Sequence, residues 1–137
     1  MFLHKVNPKY FNKYGTLSSG ISSFYKDHLV KHGIKEKHII KEKVNQISFN
    51  ELLIKYSINS FDLLLIDTEG YDCRIVNDFF LKIKEIRPII IFEWSHIKNL
   101  ELENTFKTIV NNNYSFFSVN DDIFCLPIEK NILLQLN

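Results

Sequence analysis

Four residues with acid–base side chains closely follow two long apolar runs of the chain, and they are the first candidates for chemistry. The two runs are Leu63-Leu64-Leu65-Ile66 and Ile89-Ile90-Ile91-Phe92. In open α/β sheets, ligands bind just outside the carboxyl ends of the strands. Carboxylates crowded at such a place can have a pKa near the working pH, which general-base catalysis needs. The candidate catalytic residues are therefore Asp67, Glu69, Glu93 and His96.

Each candidate also has a structural explanation, which the sequence leaves open. Asp67 could cap the helix that follows it, and Glu69 could favour the positive N-terminal end of that helix. His96 could be a solvated loop residue. Gly70 could permit a positive φ in the turn or the close approach of a ligand. The same four acid–base side chains could also hold Mg²⁺ or Mn²⁺, because hard oxygen ligands with one imidazole suit these ions.

The elements that must position these residues are two buried strands. The apolar runs predict strands at about 61–67 and 88–94, each buried on both faces because neither run alternates with polar residues. Between them, apolar residues with a helical period predict an amphipathic helix from about 71 to 84. Strand, helix and strand form a βαβ unit, which is parallel and right-handed. The acids that follow the two strands are therefore expected at one edge of the sheet.

The other predicted elements complete an α/β fold with the order β-α-β-α-β-β. Ser48 and Glu51 have the spacing of a capping box, which predicts a helix over 49–57 ahead of the first buried strand. A helix at about 99–111 is followed by a hairpin with strands at 114–119 and 123–127. Upstream, we predict a strand at 2–6, a loop over 7–20, a helix over 22–33 and an edge strand over 38–47. The histidines of this upstream part, His28, His32 and His38, are expected to be solvated.

Composition excludes several classes of protein. The formal net charge is +1, with acids and bases interspersed, so no footprint for nucleic acid or an anionic membrane is expected. Two distant cysteines, Cys73 and Cys125, form no disulfide scaffold or zinc motif, and the N-terminal residues do not have the pattern of a signal peptide. A cytoplasmic location is the expectation.

Three segments together resemble the C-terminal part of FkbM-type methyltransferases. They are Ser48-Phe49-Asn50-Glu51-Leu52-Leu53, Phe61 to Asp72 with its Ile66-Asp67-Thr68-Glu69-Gly70 centre, and Arg87 to Glu93. The resemblance covers about residues 15–126. It implies methyl transfer from S-adenosylmethionine, usually to a hydroxyl group of a sugar or another small metabolite. It also implies a Rossmann-like class I methyltransferase fold, present here in part, with a mainly parallel sheet and a C-terminal antiparallel hairpin. In such a fold, Asp67 and Gly70 would lie beside the cofactor.

The chain departs from the family in its glycines. Family members bind the cofactor with a D-x-G-x-x-x-G turn, and none of the glycines at 15, 20, 33 and 70 stands in such a turn. We therefore expect one domain over 1–137, the C-terminal part of a methyltransferase, which is truncated or depends on a partner. Its open sheet edge would favour self-association or a partner chain. Two alternatives are a non-catalytic α/β interaction module and a small metal-dependent hydrolase built on Asp67, Glu69 and Glu93.

Overall fold

The computed structural model of the chain describes residues 1–16 and 20–130, so residues 17–19 of the predicted loop and the tail after 130 lie outside the described residues. The chain divides into two compact units. The N-terminal unit consists of Met1–Gln46 and Thr68–Tyr71, and the C-terminal unit consists of Ile47–Asp67 and the residues from Asp72 onward. The interpretation of the chain as a single domain stays a prediction.

The N-terminal unit contains a small antiparallel sheet. Its strands are β1 (Phe2–Val6), β2 (Ser22–Ser23) and β3 (Ile39–Lys43), in the order β2-β1-β3. The predicted strand at 2–6 and the predicted edge strand are both confirmed. The predicted start of a helix at residue 22 is wrong, because β2 pairs with β1 through His4 and Lys5. Pairing with a distant strand is a tertiary interaction that local sequence does not report.

Short helices complete the N-terminal unit. They are α1 (Phe11–Tyr14), which lies inside the predicted loop, and α2 (Lys26–Lys31), with single 3₁₀ turns at Pro8–Tyr10 and Glu36–His38. A small core holds these elements on the sheet, and its buried members are Val6, Ile21, Leu29 and Ile34.

Two of the histidines expected to be solvated are buried, so that prediction is wrong for His28 and His38, which are 6% and 3% exposed. The Tyr10 ring stacks on His38 with centroids 3.7 Å apart. The Tyr14 hydroxyl accepts the backbone N–H of Lys35 at 3.0 Å and lies 2.6 Å from His38 Nδ1. The Tyr14 hydroxyl is therefore hydrogen-bonded both to the His38 ring and to the Lys35 backbone. Burial, and then the nearby lysines, lower the pKa of His38.

The C-terminal unit follows the predicted order of elements. After α3 (Phe49–Lys55), it contains β4 (Leu63–Ile66), α4 (Asp72–Lys82), β5 (Ile89–Glu93), α5 (Asn99–Asn111), β6 (Tyr114–Val119) and β7 (Asp122–Pro127). The predicted capping box is confirmed. The Ser48 N–H donates to Glu51 Oε2 at 2.8 Å, and the Glu51 N–H donates to Ser48 Oγ at 3.3 Å. Within the described ranges, no helix is long and apolar enough to cross a membrane.

The sheet of the C-terminal unit has the order β4-β5-β7-β6, and the expectation of a mainly parallel sheet is wrong. Only β4 and β5 are parallel, as the βαβ unit requires. The second hairpin strand, β7, lies between β5 and β6 and runs antiparallel to both. Two of the three strand pairs are therefore antiparallel.

This sheet is buried on one face, so the expectation that β4 is buried on both faces is also wrong. Ile66, Ile90 and Phe92 join residues of α3, α4 and α5 in the core. On the opposite face, Leu63 and Leu65 of β4 are 55% and 66% exposed. An apolar run predicts an apolar environment on both sides, but only tertiary structure decides whether a layer covers each face.

Candidate active site at the strand ends

Asp67 and Glu93 lie at the carboxyl ends of neighbouring parallel strands, as the sequence predicted. Ile66 pairs with Phe92 in the register of β4 and β5. Asp67 directly follows β4 and Glu93 is the last residue of β5, so the βαβ geometry brings them to one edge of the sheet. In an open α/β sheet this is where a ligand binds.

Glu93 organises the turn that follows β5. The Ser95 hydroxyl donates to Glu93 Oε1 at 2.5 Å, and His96 Nε2 lies 3.5 Å from the same oxygen. The Glu93 and His96 side chains are both partly exposed. A carboxylate beside one imidazole nitrogen orients the ring. Pairs of this kind are used as general bases toward hydroxyl groups.

The sequence did not single out a third acid, Asp122, at this edge. Asp122 lies directly opposite Glu93 in the antiparallel register of β5 and β7. The backbone N–H of Trp94 donates to the Asp121 carbonyl at 3.0 Å, and its indole N–H donates to the Asn120 carbonyl at 3.3 Å. These bonds hold the hairpin turn against the end of β5. In the sequence, Asp122 is recognisable only as a turn residue, because its pairing with Glu93 depends on the order of the strands.

Glu69 and Gly70 belong to the N-terminal unit. The Glu69 carboxylate lies 2.9 Å from His28 Nε2, and the Glu69 carbonyl accepts the Ser23 hydroxyl at 2.9 Å. Glu69 has a φ of 53° and Gly70 a φ of 99°. Of the two explanations for Gly70, the structure bears out the positive φ, and the turn places a second, non-glycine residue in the same strained region.

The two cysteines are not candidate nucleophiles. Burial raises the pKa of the Cys73 thiol to about 11 and that of the Cys125 thiol to about 12. A thiol is nucleophilic as the thiolate, and at neutral pH these groups stay protonated.

One cavity of the C-terminal unit lies away from the strand ends that carry the acids. It measures about 670 Å³ and is lined by residues of α3 and of the segments that precede β4 and β5, among them Leu53, Ile58 and Ile86. None of the four sequence-predicted candidates lines it. The acid–base chemistry therefore lies outside this cavity.

The methyl donor that the resemblance implies is S-adenosylmethionine, which the family binds through a strand-end acid and a glycine-rich turn. Asp67 is the strand-end acid of the expected contacts. Among the described residues, however, no glycine stands in a D-x-G-x-x-x-G turn after a strand. Gly15 follows α1, Gly33 follows α2, and Gly70 follows β4 in the different pattern Asp67-Thr68-Glu69-Gly70. The described residues fit one contact and do not form a complete cofactor site.

Comparison with known proteins identifies the family. The family described as "Methyltransferase FkbM domain" matches residues 3–116, which is most of the chain. No curated protein and no solved structure matches the chain significantly. The match confirms the resemblance that rested on residues 61–71 and the strand ending in Phe92-Glu93. The chain belongs to the FkbM-domain family of methyltransferases.

Proposed function

We propose that this chain contributes the acceptor side of a methyl transfer from S-adenosylmethionine to a hydroxyl group of a sugar or another small metabolite. Membership of the methyltransferase family supports the reaction class. The observation that carries the proposal is the strand-end edge of the C-terminal unit, where Asp67 and Glu93 follow neighbouring parallel strands and His96 lies beside Glu93.

In this proposal, the chain's own residues bind the acceptor and move its proton. His96 accepts the hydroxyl proton, and Glu93, whose Oε1 lies 3.5 Å from His96 Nε2, stabilises the resulting imidazolium. Asp67, directly after the neighbouring strand, would contact the methyl donor. S-adenosylmethionine supplies an electrophilic methyl group when bound. Since the described residues do not form a complete cofactor site, a partner chain that adds the glycine-rich turn is part of the proposal.

The test is an NMR titration of the isotopically labelled chain with S-adenosylhomocysteine. We expect weak, saturable shifts, because one strand-end contact is present without the glycine-rich turn. The variant Asp67→Ala should weaken binding at least tenfold. The matched control is Asp62→Asn, which removes a carboxylate from the amino side of the same strand and should leave binding unchanged. Methyl transfer to any hydroxyl acceptor, once detected, should fall in Glu93→Gln and His96→Gln.

A different result would favour the second candidate, a non-catalytic interaction module. The exposed apolar face of β4 is the observation that supports it, because strands of this kind recruit partners. The absence of saturable shifts at millimolar S-adenosylhomocysteine would refute use of the cofactor by this chain alone. Equal binding by Asp67→Ala and the wild type would refute the role of Asp67.

A further inference from the structure

We propose that the C-terminal unit binds a small monocarboxylate with an apolar body, in a cavity lined by Lys84, Arg87 and Tyr114 near the amino end of β5. The proposal goes beyond the methyl transfer described above. Arg87 precedes β5, whereas the residues assigned to methyl transfer lie at the carboxyl ends of β4 and β5. The two proposals use different residues and different ligands, so they stand or fall separately.

The cavity is formed by the end of α4, the segment before β5, the end of α5 and the start of β6. It measures about 190 Å³, the volume of roughly six water molecules, which is enough for an acid with a few carbon atoms. Its apolar lining residues are Phe79, Phe80, Ile83 and Ile86. An apolar lining with a small number of polar groups is typical of sites for small organic ligands.

The hydroxyl of Tyr114 is buried and has no hydrogen-bond partner among the described residues. Tyr114 as a whole is 2% exposed. Burial raises the pKa of the Tyr114 phenol to about 12, so at neutral pH the hydroxyl carries its proton and can donate it. Buried polar groups in native proteins nearly always have a partner, so this hydroxyl calls for a bound molecule. A ligand oxygen in the cavity that Tyr114 lines would accept the hydrogen bond.

The ring of Tyr114 is fixed by its neighbours. Phe80 packs against it edge to face, with ring centroids 5.0 Å apart, and Arg87 Cζ lies 4.8 Å from the centroid of the Tyr114 ring. Arg87 is itself held, because Nη1 donates to the Asn112 carbonyl and Nη2 to the Asn113 carbonyl, each at 3.0 Å. Since these contacts position the tyrosine before a ligand arrives, binding costs little side-chain entropy.

The charges that line the cavity favour an anion. Lys84 and Arg87 line it, and no carboxylate of the described residues does. Glu129 pairs with the Arg87 guanidinium through both carboxylate oxygens, so the positive charge that remains belongs to Lys84. Lys84 Nζ donates to the Phe80 carbonyl and, at 3.1 Å, to Asn112 Oδ1. Because an ammonium group has three N–H donors, these two contacts leave one donor for a ligand.

These groups together indicate the class of ligand. The Lys84 ammonium and the Tyr114 hydroxyl offer two hydrogen-bond donors and one uncompensated positive charge, which match the two oxygens and the single negative charge of a carboxylate. A phosphate dianion carries more charge than one ammonium group neutralises, and an unpaired buried charge is costly. The apolar lining residues suit a short hydrocarbon body.

The experiment is an NMR titration of the isotopically labelled full chain with sodium butyrate at constant ionic strength. We expect saturable shifts at Tyr114 and its neighbours. Butyramide has a similar shape without the charge and should bind at least fivefold more weakly. Tyr114→Phe and Lys84→Gln should each weaken butyrate binding at least fivefold. The matched controls, Tyr56→Phe and Lys107→Gln, remove the same groups from exposed residues of the same unit and should change the affinity less than twofold.

Tyr114→Phe also separates a role in binding from a role in the fold, because it keeps the ring and removes only the hydroxyl. Since that hydroxyl has no partner within the described ranges, the variant without ligand should unfold at the same urea concentration as the wild type or at a higher one. Three results would overturn the proposal: no saturable shifts at tens of millimolar butyrate, equal binding of butyrate and butyramide, or an unchanged affinity for butyrate in Tyr114→Phe.

Discussion

The one-sided burial of β4 makes a sharp prediction about two adjacent residues. Ile66 is 4% exposed and belongs to the core of the C-terminal unit, whereas Leu65 is 66% exposed on the opposite face. Truncation of a buried isoleucine to alanine removes its packing and leaves a cavity, which costs roughly 2–5 kcal/mol. Leu65 keeps 66% of its surface exposed, so folding removes only about a third of that surface from water. We therefore expect Ile66→Ala to lower the free energy of unfolding by roughly 2–5 kcal/mol, and Leu65→Ala by about 1 kcal/mol or less.

Urea denaturation followed by tryptophan fluorescence measures this difference. Trp94 is the only tryptophan of the chain and lies in the C-terminal unit, so its signal reports on the unit that both substitutions affect. With a typical denaturant slope, the midpoint of Ile66→Ala should fall by roughly 1–2 M urea, and that of Leu65→Ala by a few tenths. Equal losses in the two variants would contradict the reasoning, because they would mean that both faces of β4 are covered in solution.

Three further predictions address the exposed face, the buried histidine and the thiols. If the exposed face of β4 drives self-association, Leu65→Ser should reduce the concentration dependence of the sedimentation coefficient, and an unchanged dependence would assign association to another surface. The pKa of His38 lies below its ordinary value of 6.5, so the unfolded chain binds a proton at a higher pH than the folded chain. The stability that His38 contributes to the N-terminal unit is therefore complete above about pH 6.5 and is lost as the pH falls through the lowered pKa. Thermal melts followed by circular dichroism should show this loss, and His38→Gln should remove that part of it. Finally, Cys73 and Cys125 should resist iodoacetamide at pH 8 in the folded chain and react in urea, and rapid labelling without denaturant would contradict their burial.

The chain matches a methyltransferase family, but its described residues form an incomplete cofactor site. Those residues contain no D-x-G-x-x-x-G turn. The exposed leucines of β4 lie on the edge strand of the sheet, where another strand could pair. A stabilising effect of a partner chain on this unit would connect the two observations.

Local sequence determined the elements of the C-terminal unit. The capping box places the start of α3 because Ser48 and Glu51 satisfy each other's backbone N–H groups without help from distant residues. The helical period of α5 and the turn residues between β6 and β7 are likewise local signals. The βαβ rule then put Asp67 and Glu93 at one edge, and the resemblance over residues 61–71 indicated the family.

Tertiary structure alone determined the order of the strands, which residues face each other across them, and which face of the sheet is buried. Because β7 lies next to β5, the sheet is mostly antiparallel and Asp122 faces Glu93. Because the helices cover one face, Leu65 is exposed although its sequence neighbours suggested burial. His28 and Glu69 are far apart in the chain, and folding of the N-terminal unit brings them within 2.9 Å. Such contacts depend on the packing of distant segments, for which local sequence carries no signal.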